Sequence, residues 1–256
     1  LDSPESVLSL LRAMERAGYV MEEIPESSKA FMNLLTDHAT NDRRFMSAAQ
    51  AASADGQLTA EQYGAFFTEL PEQVRMQLIK DWGDAPGDVF NYDGTLLIPG
   101  TLNGNLFITV QPPRGFGEDP GKLLHSPDAA PTHHYIGYYH WLRDIWQADA
   151  VIHVGTHGSL EWLPGKSTAL SNRCWPDVSL GDLPDIYPYW ITIVGEGIQA
   201  KRRGAACLIS HLSPPMELAG EFEEIEELEQ ALDEYVHFRA AQPDNIEAAQ
   251  ELVREK

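Results

Sequence analysis

The chain has 256 residues, of which 39 are acidic and 18 basic, for a net charge of −21. That excess argues against nucleic acid and against an anionic membrane surface as partners, because both would repel it. An apolar share of 43% beside 22% charged residues is ordinary for a chain with a real core and sets disorder aside.

The length suits one large α/β domain or two small ones. No apolar run reaches the roughly eighteen residues of a membrane span. Cys174 and Cys207 provide neither a disulfide framework nor a Cys-x-x-Cys metal pair, so a reducing, cytoplasmic setting is expected. The first residues are not a signal peptide and do not begin with Met. The expectation is an internal fragment of a larger multidomain subunit.

Ser3-Pro4-Glu5 opens a helix with a capping hydroxyl, a proline in the first turn and an acid at the positive end of the dipole. Val7, Leu8, Leu10, Leu11 and Met14 continue it as an apolar stripe. Gly18 stops it, and Tyr19-Val20-Met21 reads as a short strand. Residues 27–50 are helical with a polar interruption. Thr59-Ala60-Glu61-Gln62 opens a further helix carrying Tyr63, Phe66 and Phe67, and Pro71 opens another with Val74, Leu78 and Ile79. Asp81 to Tyr92 is a loop rich in Gly, Pro and Asp.

Leu96–Gly100 and Asn105–Val110 read as two strands joined by a Gly/Asn turn. Gln111-Pro112-Pro113-Arg114-Gly115 is irregular. Pro131 to Gln147 is a helix rich in aromatics, Tyr138 among them. It leads into Ala150-Val151-Ile152, a buried strand ending at His153. After Lys166, Tyr187–Val194 reads as a strand, Gly195–Arg203 as a helix with Lys201-Arg202-Arg203 at its negative end, and Ala205–Leu212 as a second strand. Residues 216–236 form an acidic amphipathic helix, and 244–255 one more. The fold class expected is α/β, an open and mostly parallel sheet with flanking helices. Three segments follow: 1–90, mainly helical; 91–215, the α/β core; and 216–256, acidic and helical.

The chemistry concentrates in Asp149 to Lys166. His153, His157 and Glu161 are spaced four and four, but Gly155 and Gly158 argue against a continuous helix. They permit a tight turn that folds His157 back towards the end of the strand. Imidazoles with a carboxylate suit borderline divalent metals and are proton acceptors near neutral pH. The plainer alternative is one packed histidine, one surface histidine and a surface Glu. Gly-Thr-His-Gly-Ser lacks the Walker pattern, so ATP is not expected to bind here. His125, His133 and His134 add imidazoles with two readings, a share in the site or plain solvation in a loop. Arg114 is a candidate for gripping a carboxylate, against a structural ion pair. Cys174 beside Trp175 reads as packing. The Gly-x-Ser-x-Gly elbow does not occur.

The run His153-Val-Gly-Thr-His-Gly-Ser-Leu-Glu161-Trp-Leu-Pro-Gly-Lys166, followed by Cys174-Trp-Pro-Asp177, Gly195-Glu196, Ala200-Lys-Arg-Arg203 and His211-Leu-Ser-Pro-Pro215, resembles the large subunit of cobaltochelatase. Its relative is the large porphyrin-binding subunit of magnesium chelatase. The upstream Gln111–Gly117 and His125–Asp128 segments resemble the same family. Glu161-Trp162-Leu163-Pro164 and Trp175 lean to the cobalt side. The Asn-Asn-Pro usual before the Gly-Glu pair is missing here, where Ile193-Val194 stands.

The resemblance implies Co2+ insertion into a corrin precursor, hydrogenobyrinic acid a,c-diamide, with Mg2+ and protoporphyrin IX as the alternative. ATP would be used by AAA+ partner subunits and not bound by this chain. The remaining domains of the same large subunit would be further partners, and the fragment alone would be inactive. It makes Glu161 the first candidate base or metal relay, with His157 and His153 holding or passing the metal. Arg114, Lys166 and Arg202 would address ring carboxylates or amides, and Trp162, Tyr138 and Trp175 the macrocycle. Two other classes stay open: a non-catalytic tetrapyrrole-binding or scaffold module, and a hydrolytic zinc site with three protein ligands and an open position.

Overall fold

The computed structural model describes residues 3–41, 47–115, 126–189, 193–210 and 235. The chain divides into a compact unit Leu1–Leu212 and a second unit Ser213–Lys256. The expected acidic helix over 216–236 and the helix over 244–255 lie outside the described residues, as do His125 and His211.

The first helix, α1 (Ser3–Arg16), has Glu5 in its first turn and Arg16 in its last, each complementing the helix dipole. It buries Leu8 and Leu11 against Phe31 of α2 (Ser28–Asp37). Tyr19-Val20-Met21 is not a strand. Tyr19 and Val20 stand exposed, and the Val20 carbonyl instead accepts from Asn105 N at 2.9 Å. The polar interruption expected within 27–50 is real: α2 ends at Asp37, and α3 (Ala48–Ala52) restarts with a Ser47/Gln50 capping box.

Strand β1 (Gly56–Thr59) leads into α4 (Ala60–Glu69), whose start is fixed by a second capping box, Thr59 with Gln62. Helix α5 (Glu72–Trp82) follows. Strands β2 (Asn91–Tyr92) and β3 (Thr95–Ile98) complete a three-stranded antiparallel sheet in the order β1-β3-β2. The hairpin falls later in the chain than the sequence suggests. Leu96 to Ile98 pairs with β1, and the hairpin is β4 (Thr101–Asn103) with β5 (Leu106–Ile108). Gly104, at φ +61°, makes its turn, a conformation that glycine adopts without steric cost.

Helix α6 (His133–His140) is buried on every side. Three histidines can sit there because each has a specific partner. His133 accepts from Tyr63 OH at 2.7 Å and donates to the Gly83 carbonyl at 3.0 Å. His134 donates to the Leu97 carbonyl at 2.7 Å, and burial pushes its pKa down to about 4. His140 stacks on Phe66 at 4.0 Å and bonds to Asp144 at 2.7 Å. These imidazoles are core residues held neutral by burial, not solvated loop residues. A wider π-turn, Trp141–Ile145, ends the helix and points the chain into β6 (Val151–Ile152).

The third sheet is parallel, in the order β6-β7-β8, with β7 (Asp185–Tyr189) in the centre and β8 (Cys207–Ser210) at one edge. Helices α7 (Trp175–Leu180) and α8 (Val194–Arg203) lie in its crossovers. The class is therefore α/β as expected, but among the described residues only this sheet is parallel. Short turns join β2 to β3 and β4 to β5 and make those pairs antiparallel, as β1 with β3 also is, whereas helical crossovers link β6, β7 and β8. The main core runs from Leu58 and Tyr63 through Tyr135 and Trp141 to Trp175 and Leu183, drawing on both sides of residue 90. No helix among the described residues is long and apolar enough to cross a membrane.

Candidate functional site

Strand β6 stops at Ile152, and His153 N donates to the Ile186 carbonyl at 2.8 Å, which pins His153 beside the first half of β7. Its ring stacks on Tyr187, with centroids 4.5 Å apart and planes at 15°. Burial lowers the pKa of this imidazole below its ordinary value, so it is neutral near pH 7.

Residues 153–159 are irregular, as the two glycines required. His157 turns outward, its side chain 66% exposed, with Nδ1 2.8 Å from Glu196 Oε1. A single 3-10 turn, Leu160–Trp162, then aims Glu161 inward, leaving it 2% exposed, while Trp162 stays 42% exposed. The Trp162 indole N–H donates to Glu196 Oε2 at 2.8 Å. Glu196, in the first turn of α8 and 8% exposed, therefore holds both His157 and Trp162.

Ser159 is fixed by a polar cluster. It donates N–H and O–H to Gln111 Oε1 at 2.8 and 3.0 Å, and bonds to Tyr135 OH at 2.9 Å. Gln111 Nε2 donates to Tyr139 OH at 2.8 Å. Both tyrosines belong to α6, so the turn bearing the candidate residues is bolted to the central helix. Gly158 fills the tightest place. A Cβ there would collide with His153 Cε1 and lie 3.0 Å from both Glu161 oxygens, so one glycine backbone separates them from what lies outside.

Outside is a cavity of about 730 Å³, lined by His157, Gly158, Trp162, Glu196, Arg114 and Arg203 among others. That volume lies in the range of ligand sites, roughly 300–1,000 Å³. Behind it, Glu161 Oε1, Asp185 Oδ1 and Tyr187 OH are buried with no hydrogen-bond partner. Burial pushes the Glu161 carboxyl up to about 7, with the nearby Glu196 and Asp185 carboxylates adding to the shift. Burial also takes Asp185 up to about 6. A carboxyl poised near neutrality can take up and release a proton at working pH.

The expected residues fall into four groups. His157, Glu161 and Trp162 come together around Glu196, and His153 sits just behind them. Arg114 lines the cavity, but its donors go to the carbonyls of Trp162 at 3.0 Å, Ser126 at 2.7 Å and Ala129 at 3.3 Å, so it straps loops together. Lys166 and Arg202 are exposed away from the cavity lining. Tyr138 and Trp175, 4% and 2% exposed, are packed in the core. Among the described residues, no three His, Cys, Asp or Glu side chains are grouped to hold a metal ion. His153 packs inward while His157 faces out.

Glu196 is the residue that sequence reasoning missed. It stands in one of the chelatase-like runs, Gly195-Glu196, but an acid in the first turn of a helix also simply complements the dipole, so its position in the sequence does not mark it as a site residue.

A parallel sheet with a cavity beyond the carboxyl ends of its strands, lined by apolar groups and a few charged ones, is a ligand-binding arrangement of α/β proteins. The family model for CobN/Magnesium Chelatase matches residues 1–256. The chain is 49% identical over 92% of its length to an uncharacterised protein of Methanocaldococcus jannaschii. It is 40% identical over 92% of its length to the aerobic cobaltochelatase subunit CobN of Pseudomonas aeruginosa. It spans 19% of each of those relatives, about a fifth of their length. The catalytic subunit of cobaltochelatase from Mycobacterium tuberculosis superposes on the whole chain with a TM-score of 0.74 at 38% identity, and 22% of that subunit is covered. The chain belongs to the CobN/magnesium chelatase family.

Proposed function

We propose that this chain supplies the proton- and metal-handling site of a chelatase large subunit, and that the cavity beside Glu196 receives the tetrapyrrole. The observation that carries the reading is the pair of buried carboxyls, Glu161 and Glu196, placed behind and within a wall that also holds His157. Inserting a divalent ion into a tetrapyrrole releases two pyrrole protons. A carboxyl with its pKa near 7 is matched to accept them. The metal is the reaction's cargo, so a site without a closed ligand cage suits loose holding and release. His157 and Glu196, at the cavity, would pass the ion to the ring, and Glu161 would take the protons. His153, neutral and stacked on Tyr187, backs that carboxyl.

The cobalt branch is the preferred one, with hydrogenobyrinic acid a,c-diamide as the ring. It is supported by Trp162 and Trp175, the residues that lean to the cobalt side, and by the cobaltochelatase names among the relatives. ATP hydrolysis is assigned to separate AAA+ subunits, and further domains of the large subunit are expected to complete the site. Absorbance titration of the purified chain with the corrin precursor and with protoporphyrin IX tests the reading. Tighter binding of the corrin precursor is expected. Preference for protoporphyrin would move the chain to the magnesium branch, and binding of neither ring would contradict the placing of the tetrapyrrole in this cavity.

A further inference from the structure

Arg203 ends α8 beside two exposed cations, Lys201 and Arg202, yet it alone of the three lines the cavity. Its Nη2 donates to the Leu163 carbonyl at 2.5 Å, and its Nε is buried without an acceptor. Among the described residues, no Asp or Glu forms an ion pair with it. A guanidinium carries five N–H donors in a planar fork, so most of this one's donors are uncommitted.

Arg114 lines the same cavity at 3% exposure. The two guanidiniums lie close enough that Arg203 helps to lower the pKa of Arg114, after the larger effect of burial. The second guanidinium makes this part of the wall positive, and the chain carboxyl that acts on Arg203, Glu161, is itself pushed towards its neutral form by burial. In a chain with a net charge of −21, this is a local reversal of sign. Elsewhere on the lining, Glu196 engages His157 and Trp162, so the cavity is polarised.

We propose that Arg203 binds a carboxylate on the rim of the ring substrate and so makes the cavity select acidic rings over their neutral derivatives. This rests on the reading above that the cavity takes a tetrapyrrole. It names a residue next to one that the sequence pattern favoured. Arg202 and Arg203 are adjacent on a helix and therefore point about 100° apart, and only Arg203 reaches the cavity lining.

The test measures binding of four rings by the full chain: protoporphyrin IX and its dimethyl ester, and hydrogenobyrinic acid a,c-diamide and its fully amidated form. Wild type is expected to bind each acid tighter than its neutral partner, by roughly tenfold or more for one charge-assisted contact. Arg203→Gln should abolish that preference while leaving the Kd for the neutral ring near wild type. Arg203→Lys, which keeps the charge but not the fork, should retain part of it, and Arg202→Gln should change nothing.

An equal loss for acid and neutral rings in Arg203→Gln would show that Arg203 only supports the Leu163 loop, and would overturn the assignment. Equal binding of acid and neutral rings by wild type would overturn it too, and that result stands even if Arg203→Gln fails to fold. Those outcomes leave the chelatase reading intact, whereas failure of wild type to bind any of the four rings would defeat that reading and this one with it.

Discussion

Glu161 is 2% exposed, and no cation of the described residues forms an ion pair with it. Its carboxyl is raised from 4.5 to about 7, first by burial and then by Glu196 and Asp185. The folded chain therefore holds a proton there that the unfolded chain loses above about pH 4.5. Stability from this group is complete below that pH, falls as pH rises towards 7, and is gone above it. The loss is on the order of 3 kcal/mol. Glu161→Gln keeps the neutral shape. It should raise the denaturation midpoint at pH 8 and give no gain at pH 4, as urea titrations at the two pH values would show. A gain of equal size at both would mean that the carboxyl does not titrate in this window.

Gly158 is the steric counterpart of that carboxyl. Ala there would force a methyl group into His153 and against the Glu161 oxygens. Gly158→Ala should weaken ring binding at least tenfold with a loss of about 1–3 kcal/mol in stability, the usual cost of overpacking. Ring titration and thermal melting of the variant measure the two effects separately.

At the level of elements, α6 explains why a chain so rich in exposed acid can place polar groups inside. Its histidines are consumed by Tyr63, Gly83, Leu97 and Asp144, and its Tyr135 and Tyr139 reach through Gln111 and Ser159 to the functional turn. Tyr135→Phe removes the hydroxyl that bonds to Ser159, at a cost of about 1–2 kcal/mol. Because that bond positions the turn, the variant should also lower ring affinity. Unchanged affinity in a destabilised Tyr135→Phe protein would show that the network serves the core alone.

Much of this was legible in the sequence, because capping and glycine chemistry act locally. The Thr59/Gln62 box, the breaks at Gly155 and Gly158, and the strand before His153 all follow from near neighbours. The pairing of β3 with β1 rather than with the next segment did not, since two antiparallel registers compete and only tertiary packing decides between them. Nor did the fate of the α6 histidines, whose partners lie 37 to 70 residues away for His134 and His133. Glu196 was hidden for a similar reason. It lies 35 positions after Glu161, and a helix-end acid looks the same in sequence whether it faces solvent or a cavity.

At the scale of the whole molecule, a parallel sheet within residues 151–210 carries the site, and the rest of the unit Leu1–Leu212 supports it. The chain spans about a fifth of the length of these relatives. With no ligand cage among the described residues, metal analysis of the purified chain should find well under one zinc per chain. A stoichiometric zinc would favour the hydrolytic alternative.

The central claim is that Glu161 moves protons during metal insertion and does not merely shape the cavity. It is tested most directly by comparing wild type and Glu161→Gln, carried in the complete large subunit and assayed with the ATPase partners for ring binding and for metal insertion. The account predicts ring affinity within about twofold of wild type and insertion reduced at least a hundredfold, the scale of general base catalysis. Insertion at the wild-type rate with unchanged binding would contradict it.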